Sequence, residues 1–269
     1  MQIIWPLALI TFKEGLRQRI LYGVVIASLL LIMLGVLISG LFMRDSLKIL
    51  LDICLSTASL GGLLIPFFLS INLLSGDIEK KTVYAILSRN ITRNQYILGK
   101  FLGLALITAA VMSIITFAAF IAIALAALIY PAHLFTKFAP FPILVSTALS
   151  FLGVQVLNST VFLWCSVTTS SFLATLLTIS TYIIGQSIED VVRFIDLKVK
   201  SVEIAHSTEL TAKFALYTFP NLAAFDFKQQ AAHFLPISLQ EVALLVLYGV
   251  SYIALMLFIT TIFFGRRDL

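Results

Sequence analysis

Five long stretches of this chain contain no Asp, Glu, Lys or Arg, and they limit its possible folds more than any other feature. The stretches are Ile20–Met43, Ile53–Gly76, Phe101–Thr136, Phe138–Ile188 and Val242–Gly265. A membrane-spanning helix needs about 20 mostly apolar residues. Each stretch is long enough for one crossing, and the fourth is long enough for two. The sequence therefore predicts an all-α polytopic membrane protein with six transmembrane helices, forming a single domain over residues 1–269.

The division of the fourth stretch depends on the polar residues inside it. The cluster Thr168-Thr169-Ser170-Ser171 is typical of a tight turn between two crossings. Gln155 and Asn158 offer an alternative break. We favour the Thr/Ser cluster because it leaves a span of workable length on each side. Within the second stretch, Pro66 follows two glycines and predicts a kink.

The overall composition also favours lipid as the solvent. Hydrophobic residues make up 60% of the chain and charged residues 12%, whereas soluble domains have about 45–50% and about 25%. The polar surface is too small to coat a soluble globule. Cys54 and Cys165 both lie in apolar runs without a Cys/His cluster, so we predict no metal site and no cofactor.

The distribution of Lys and Arg predicts the orientation of the spans. Cytoplasmic flanks of membrane proteins are enriched in these residues. If both termini are cytoplasmic, most basic residues fall inside, namely Lys13, Arg17, Arg19, Lys80, Lys81, Arg89, Arg93, Lys100, Arg266 and Arg267. The short outer loops then hold only Arg44, Lys48 and Lys137. We predict a bacterial inner-membrane protein with residues 189–241 as an extracytoplasmic loop. No stretch interleaves basic and aromatic residues, so nucleic acid is not an expected partner.

Residues 1–19 precede the first span and have the pattern of an interfacial helix. Apolar side chains recur at helical spacing opposite charged ones: Leu9, Phe12, Leu16 and Ile20 against Lys13, Glu14 and Arg17. Trp5 suits the headgroup layer. We expect this helix to contact membrane lipid.

The inner loop, residues 77–100, is the most charged inner segment. Val83, Ile86 and Leu87 predict one apolar face of a short amphipathic helix. Thr92 followed by Gln95 is a capping box for the helix that becomes the third span. A helix placed there either rests on the membrane or docks in a groove of a soluble partner. The pattern alone leaves both alternatives open.

The inner loop resembles that of the permease subunits of ABC-2-type ATP-binding-cassette transporters. Residues 77–100 read DIEKKTVYAILSRNITRNQYILGK, and the residues that match that family's pattern are Thr82, Leu87, Arg93, Gly99 and Lys100. Asn90 departs from the pattern, since many members have proline there. The segment from Tyr217 to Asp226, which contains Pro220-Asn221-Leu222, resembles an element of the family's outer loop.

The resemblance implies a division of labour between subunits. Two permeases pair, and two cytoplasmic ATPases dock on their inner loops, each of which acts as a coupling helix in an exporter. The residues expected to couple to the ATPase are Asp77, Glu79, Lys80, Lys81, Thr82, Ile86, Arg89, Arg93 and Lys100. The chain has no GxxxxGK[ST] motif to bind a nucleotide phosphate. We therefore expect it not to be an enzyme, with ATP hydrolysis in the partner.

Other functions compete with this one. An ion-coupled secondary transporter usually keeps ionisable residues within its spans, and the charge-free stretches have none. A membrane-anchoring subunit would not need a charged, capped inner helix. The polar residues predicted within spans are Asn72, Gln155, Asn158 and Gln186. They either hydrogen-bond between helices or line a translocation path.

Overall fold

The computed structural model describes residues 4–42, 45–79, 91–131, 138–196, 214–216 and 218–266, and all regular structure in these ranges is helical. The helices are α1 (Ile4–Leu16), α2 (Arg19–Ser39), α3 (Ser46–Leu64), α4 (Ile71–Glu79), α5 (Arg93–Ile129), α6 (Pro140–Val167), α7 (Ser171–Asp196), α8 (Lys228–Ala232) and α9 (Leu239–Arg266). A π-helical turn, Ile65–Ser70, joins α3 to α4, and a 3-10 turn, Ala223–Phe225, precedes α8.

Six helical segments are long and apolar enough to cross a membrane, which confirms the predicted fold class. They are Arg19–Ser39, Ser46–Leu74, Arg93–Ile129, Pro140–Val167, Ser171–Arg193 and Leu239–Arg266. The predicted break in the fourth stretch is also confirmed, because α6 ends at Val167 and α7 begins at Ser171. The hydroxyl of Thr168 donates to the Trp164 carbonyl at 2.7 Å. The polar turn therefore supplies a hydrogen bond to one of the last carbonyl groups of α6.

Several helices extend beyond the charge-free stretches that predicted them. α3 begins early enough to include Lys48 and Asp52, and α7 continues through Glu189 and Arg193. Residues 189–241, predicted to be an outer loop, thus include the end of α7 and the start of α9. The physical reason is length. α6 and α9 have 28 residues each, or about 42 Å, against a hydrocarbon core of about 30 Å. Helix ends thus reach polar surroundings without unwinding.

Contacts between helix ends define the two faces of the bundle. At one end, Arg93 at the start of α5 contacts the last turn of α9, and α1 packs on the same part of α5. This end, which holds α1 and the last turn of α9, is called the terminal face. At the other end, the Tyr130 hydroxyl donates to the Val36 carbonyl at 3.0 Å. This end, called the loop face, lies on the side of the connection between α7 and α9.

α1 runs side by side with α5 and in the same direction. A side chain placed at Gly99 would contact Leu7, one at Gly103 would contact Thr11, and Gly15 lies against Ile107. Small residues allow the helix backbones to approach closely. The helix predicted before the first span is thus present. However, its buried residues are Leu7, Ala8, Thr11 and Gly15, whereas the predicted apolar face includes the partly exposed Leu9.

α6 is the central helix of the bundle. Every residue from Gly153 to Phe162 is buried, and α6 packs against α3, α5, α7 and α9. A helix that is buried on all sides belongs in the middle of a multi-helix structure. This position lets α6 touch every other element of the site described next.

Residues 218–235, called here the re-entrant segment, pack between α6, α7 and α9. The backbone N–H of Leu222 donates to the Gly185 carbonyl at 2.9 Å, and Phe225 lies against Gly153 and Gly249. These glycines lie about 15–20 Å along their helices from the loop face. Irregular backbone at such a depth is stable only when protein surrounds it or water reaches it. The glycines make room for it.

Candidate functional site

A cavity of about 300 Å³ lies between α3, α6, α7 and the re-entrant segment. Its wall combines hydroxyl, amide and charged groups with apolar side chains. The polar residues are Ser56, Ser59, Ser150, Tyr182, Gln186, Asp226 and Lys228, and the apolar ones include Leu60, Leu63, Val154, Leu157, Leu222 and Phe225. Such a mixture of an apolar wall and a few polar groups is typical of small-molecule sites.

One stripe of α3 forms a wall of this cavity. Ser56, Ser59, Leu60 and Leu63 recur at helical spacing and all line it. Asp52 continues the stripe toward the loop face and is exposed. The opposite side of α3, including Leu50, Cys54 and Ala58, is buried in the bundle core. α3 therefore places the hydroxyl groups of Ser56 and Ser59 on the side that faces the cavity.

Asn221 fixes the re-entrant segment above the cavity. Its side-chain amide donates to Glu189 Oε2 at 2.8 Å, and its backbone N–H donates to the Tyr248 hydroxyl oxygen at 3.0 Å. Its side-chain oxygen accepts from the Ala224 N–H at 3.2 Å. Phe225 stacks on Tyr248 with ring centroids 5.9 Å apart. The Pro-Asn-Leu element of the sequence thus connects the segment to both α7 and α9.

The charged groups of the cavity neutralise each other. Asp226 and Lys228 form an ion pair at 3.0 Å, and the Lys228 N–H also donates to the Asp226 carboxylate at 3.2 Å. The remaining polar lining is hydroxyl and amide. A cavity of this composition offers hydrogen bonds to a ligand without a net charge to attract a free ion.

The four polar residues predicted within spans have different environments. Gln186 lines the cavity. Gln155 and Asn158 are buried on α6 outside the cavity lining, and Asn158 accepts a hydrogen bond from the Ser70 hydroxyl at 2.7 Å. Asn72 is exposed on α4, and its amide donates to the Phe68 carbonyl. The positions of these four residues in the sequence could not show which would line a cavity and which would hydrogen-bond within the bundle. Each outcome depends on which helix lies beside the side chain.

Sequence reasoning missed most residues of the cavity. Ser56, Ser59 and Ser150 lie in apolar runs where serine is a common packing residue. Asp226 and Lys228 lie in the segment predicted to be outside the membrane. The one usable signal was the i, i+3 spacing of Ser56 and Ser59, since it places both hydroxyls on one helix face.

Arg93 connects the end of the inner loop to the last span. Its guanidinium donates to the carbonyl oxygens of Phe264 at 3.0 Å and Gly265 at 2.7 Å. Tyr96, which is fully buried, stacks on the Phe264 ring at 5.8 Å. The last carbonyls of a helix have no partner within the helix, and a cation also matches the negative end of its dipole. Arg93 therefore caps α9.

The predicted capping box at the start of α5 is confirmed. The Thr92 hydroxyl accepts from the Gln95 N–H at 3.4 Å, and the Gln95 side chain accepts from the Thr92 N–H at 3.1 Å. This reciprocal pair fixes the residue at which α5 begins.

Lys100 is a buried residue of the same helix. Its side chain is 3% exposed, and its ammonium lies 3.2 Å from Glu14 Oε2 of α1. Of the other residues expected to couple to an ATPase, Asp77 and Glu79 lie in α4, and the rest fall outside the described residues, namely Lys80, Lys81, Thr82, Ile86 and Arg89. The amphipathic helix predicted around Val83 also lies outside the described residues.

Comparison with known protein families gives one match across the chain. A family model described as ABC-2 family transporter protein matches residues 5–269. No curated protein matches the chain significantly. The match covers all six span-forming helices. It also includes residues 77–100 and the Pro-Asn-Leu element, the two segments that carried the resemblance. The chain therefore belongs to the ABC-2 transporter family, as a multi-pass membrane protein that forms the permease component of an ABC transporter.

Proposed function

We propose that this chain is one permease subunit of an exporter that a separate cytoplasmic ATPase drives by docking on residues 77–100. The observation that carries the proposal is the family match over residues 5–269. The position of the inner loop supports it, because α4 leads into the loop and α5 leads out of it at the terminal face. The same face exposes Lys13, Arg17 and Arg19, as a cytoplasmic face should.

The proposal includes a second permease copy and a substrate path. In this proposal one subunit encloses only part of the path that passes the cavity. A second copy, identical or related, would complete it. Hydroxyl and amide groups such as Ser59 and Gln186, set among apolar side chains, suit a substrate with a polar head and an apolar body.

ATPase docking is tested by co-purification. An ATP-binding-cassette ATPase from the same genome is co-expressed with a tagged permease, and recovery is compared for the wild type, Glu79→Ala and Lys81→Ala. We expect lower recovery for both variants, because they remove charges from the proposed docking segment. Lys48→Ala is the matched control, since Lys48 is a half-exposed lysine at the loop face. Equal recovery of the ATPase with all four proteins would contradict docking on residues 77–100.

Orientation is tested by labelling single cysteines in a chain that has Cys54 and Cys165 replaced by alanine. Gln240→Cys lies at the start of α9 on the loop face, and Asn94→Cys lies at the start of α5 on the terminal face; both positions are exposed. With both termini cytoplasmic, a membrane-impermeant maleimide added to intact spheroplasts labels only Gln240→Cys. Labelling of Asn94→Cys alone would show the reverse orientation.

A further inference from the structure

The second span is not a continuous α-helix. The π-helical turn Ile65–Ser70 interrupts it and contains Pro66, which lacks the N–H that an α-helix needs there. A π turn holds an extra residue, and such turns are frequent at functional sites. It separates α3, whose Ser56–Leu63 part lines the cavity, from α4, which leads into the inner loop.

Two side chains of the π turn reach the other walls of the cavity. The Ser70 hydroxyl, which is fully buried, donates to Asn158 Oδ1 on α6 at 2.7 Å. Phe67 meets the Tyr182 ring of α7 edge to face, with ring centroids 5.8 Å apart. Tyr182 lines the cavity, and so does Leu157, the neighbour of Asn158. A movement of the π turn therefore displaces both walls directly.

The two ends of the inner loop are held very differently. Where the loop enters α5, Arg93 caps α9, Tyr96 stacks on Phe264, and the buried Lys100 pairs with Glu14 of α1. These contacts hold α5 against two other helices. Where the loop leaves the second span, α4 follows the π turn and packs on α6 and α7, with Leu73 and Leu74 buried. The polar and aromatic contacts thus tie α5 to two other helices, whereas the π turn is where the second span departs from α-helical geometry.

Gln155 shows that the polar contact at this turn is incomplete. Its Oε1 accepts from Asn158 Nδ2 at 3.3 Å. Its Nε2 is buried and has no hydrogen-bond partner among the described residues. A buried donor without a partner is costly, so its presence in a native structure needs a reason. A second arrangement of the π turn that supplies an acceptor to Gln155 is such a reason.

We propose that Ser70 and Asn158 are positioning residues that transmit movement of the inner loop to the cavity, with the π turn as the pivot. When α4 moves, the turn changes its helical register, Ser70 leaves Asn158, and Gln155 gains a partner. A register change of one residue rotates α4 by about 100° and shifts it by about 1.5 Å. This inference rests on the proposed function for the source of the movement. The contact between Ser70 and Asn158, however, joins two residues of the same chain and is present without the ATPase.

The test uses a cysteine in the cavity wall as a reporter. Ser59→Cys is introduced after Cys54 and Cys165 have been replaced by alanine, and its rate of reaction with N-ethylmaleimide is measured in the purified permease. Ser70→Ala is compared with Ser159→Ala. Ser159 is the matched control because it is fully buried on α6 and its hydroxyl, among the residues that the structure describes, bonds to a carbonyl of its own helix, that of Val156, at 2.7 Å.

In the permease alone, Ser70→Ala removes the bond that restrains the turn, and we expect the reporter to react about fivefold faster. Ser159→Ala leaves the rate within about twofold. A rate unchanged by Ser70→Ala, or raised equally by Ser159→Ala, would overturn the proposal, since the effect would be absent or a general packing defect. Gel-filtration profiles that match the parent show that both variants are folded.

A second arm adds the ATPase and compares the nucleotide-free complex with the complex trapped by ADP and vanadate. We expect trapping to change the reporter rate in the parent and in Ser159→Ala but not in Ser70→Ala. A retained change in Ser70→Ala would overturn the linkage. If the ATPase does not bind the parent, the proposed docking is wrong, and the first arm still decides whether Ser70 controls the cavity.

Discussion

Gly103 allows the α1 backbone to approach α5 closely, and Gly103→Ala tests this packing directly. A Cβ atom at this position would lie 2.5 Å from Thr11 Cβ and 2.8 Å from the Ala8 carbonyl oxygen. Neither neighbour is able to move easily. The oxygen belongs to helix backbone, and Thr11 is fully buried with its hydroxyl donating to the Leu7 carbonyl at 3.0 Å. α1 must therefore shift away from α5.

The expected magnitude follows from two opposing effects. Overpacking of a tight contact destabilises a protein by about 1–3 kcal/mol. Alanine is favoured over glycine within a helix by about 1 kcal/mol, which offsets part of that loss. We expect the free energy of unfolding to fall by up to about 2 kcal/mol. For a chain of this length, each kcal/mol corresponds to about 2–4 °C in the midpoint of thermal unfolding.

The assay is thermal unfolding of the purified protein in one detergent, followed by intrinsic fluorescence. Gly23→Ala is the matched control. A Cβ at Gly23, which lies in α2, would meet nothing within 4 Å, so only the helix preference acts and the midpoint should stay or rise. Equal midpoints for Gly103→Ala and Gly23→Ala would refute the close packing of α1 on α5.

Three other variants probe the contacts at each face. Glu14→Gln should lower stability by about 1–3 kcal/mol, because the buried Lys100 loses the Glu14 carboxylate; Glu14→Gln/Lys100→Met should regain most of it in the same unfolding assay, and a double variant as unstable as the single one would contradict this. Arg93→Ala should speed amide hydrogen exchange in the last turn of α9, which loses its cap; an unchanged rate would show that the cap is dispensable. Asn221→Asp should loosen the re-entrant segment more than Asn221→Ala does, because a second carboxylate then faces Glu189. Hydrogen exchange over residues 218–226 measures this, and equal exchange in the two variants would argue against the contact.

The local features of this protein were the ones that could be predicted. Apolar runs gave six spans because the length of a crossing is set by the bilayer and not by neighbouring helices. The turn at Thr168–Ser171 and the capping box of Thr92 and Gln95 were predicted for the same reason. Each depends on residues a few positions apart, and the structure confirms both.

Roles that depend on distant residues were not predictable in this way. The resemblance assigned Arg93 and Lys100 to ATPase coupling, and that assignment stays a prediction. Their observed partners lie far along the chain, with Arg93 on α9 and Lys100 on α1. If either residue contributes to coupling, its contact with α9 or α1 is therefore part of that contribution.

The polar residues of the spans illustrate the same limit. Gln186 and Asn158 both lie in the same charge-free stretch of the sequence, yet one lines the cavity and the other accepts a hydrogen bond from Ser70. The direction of a side chain follows from helical periodicity, but what it meets there depends on how the helices pack.

By itself, the sequence determined the solvent, the number of crossings, the ends of several helices and, through residues 77–100, the family. These follow from hydrophobicity and short-range hydrogen bonding, which act within a segment. The tertiary structure alone decided that α1 packs along α5, that residues 218–235 enter the bundle, and that a π turn beside the cavity contacts both of its other walls. These depend on glycines and polar side chains from distant segments that meet only when the helices have packed.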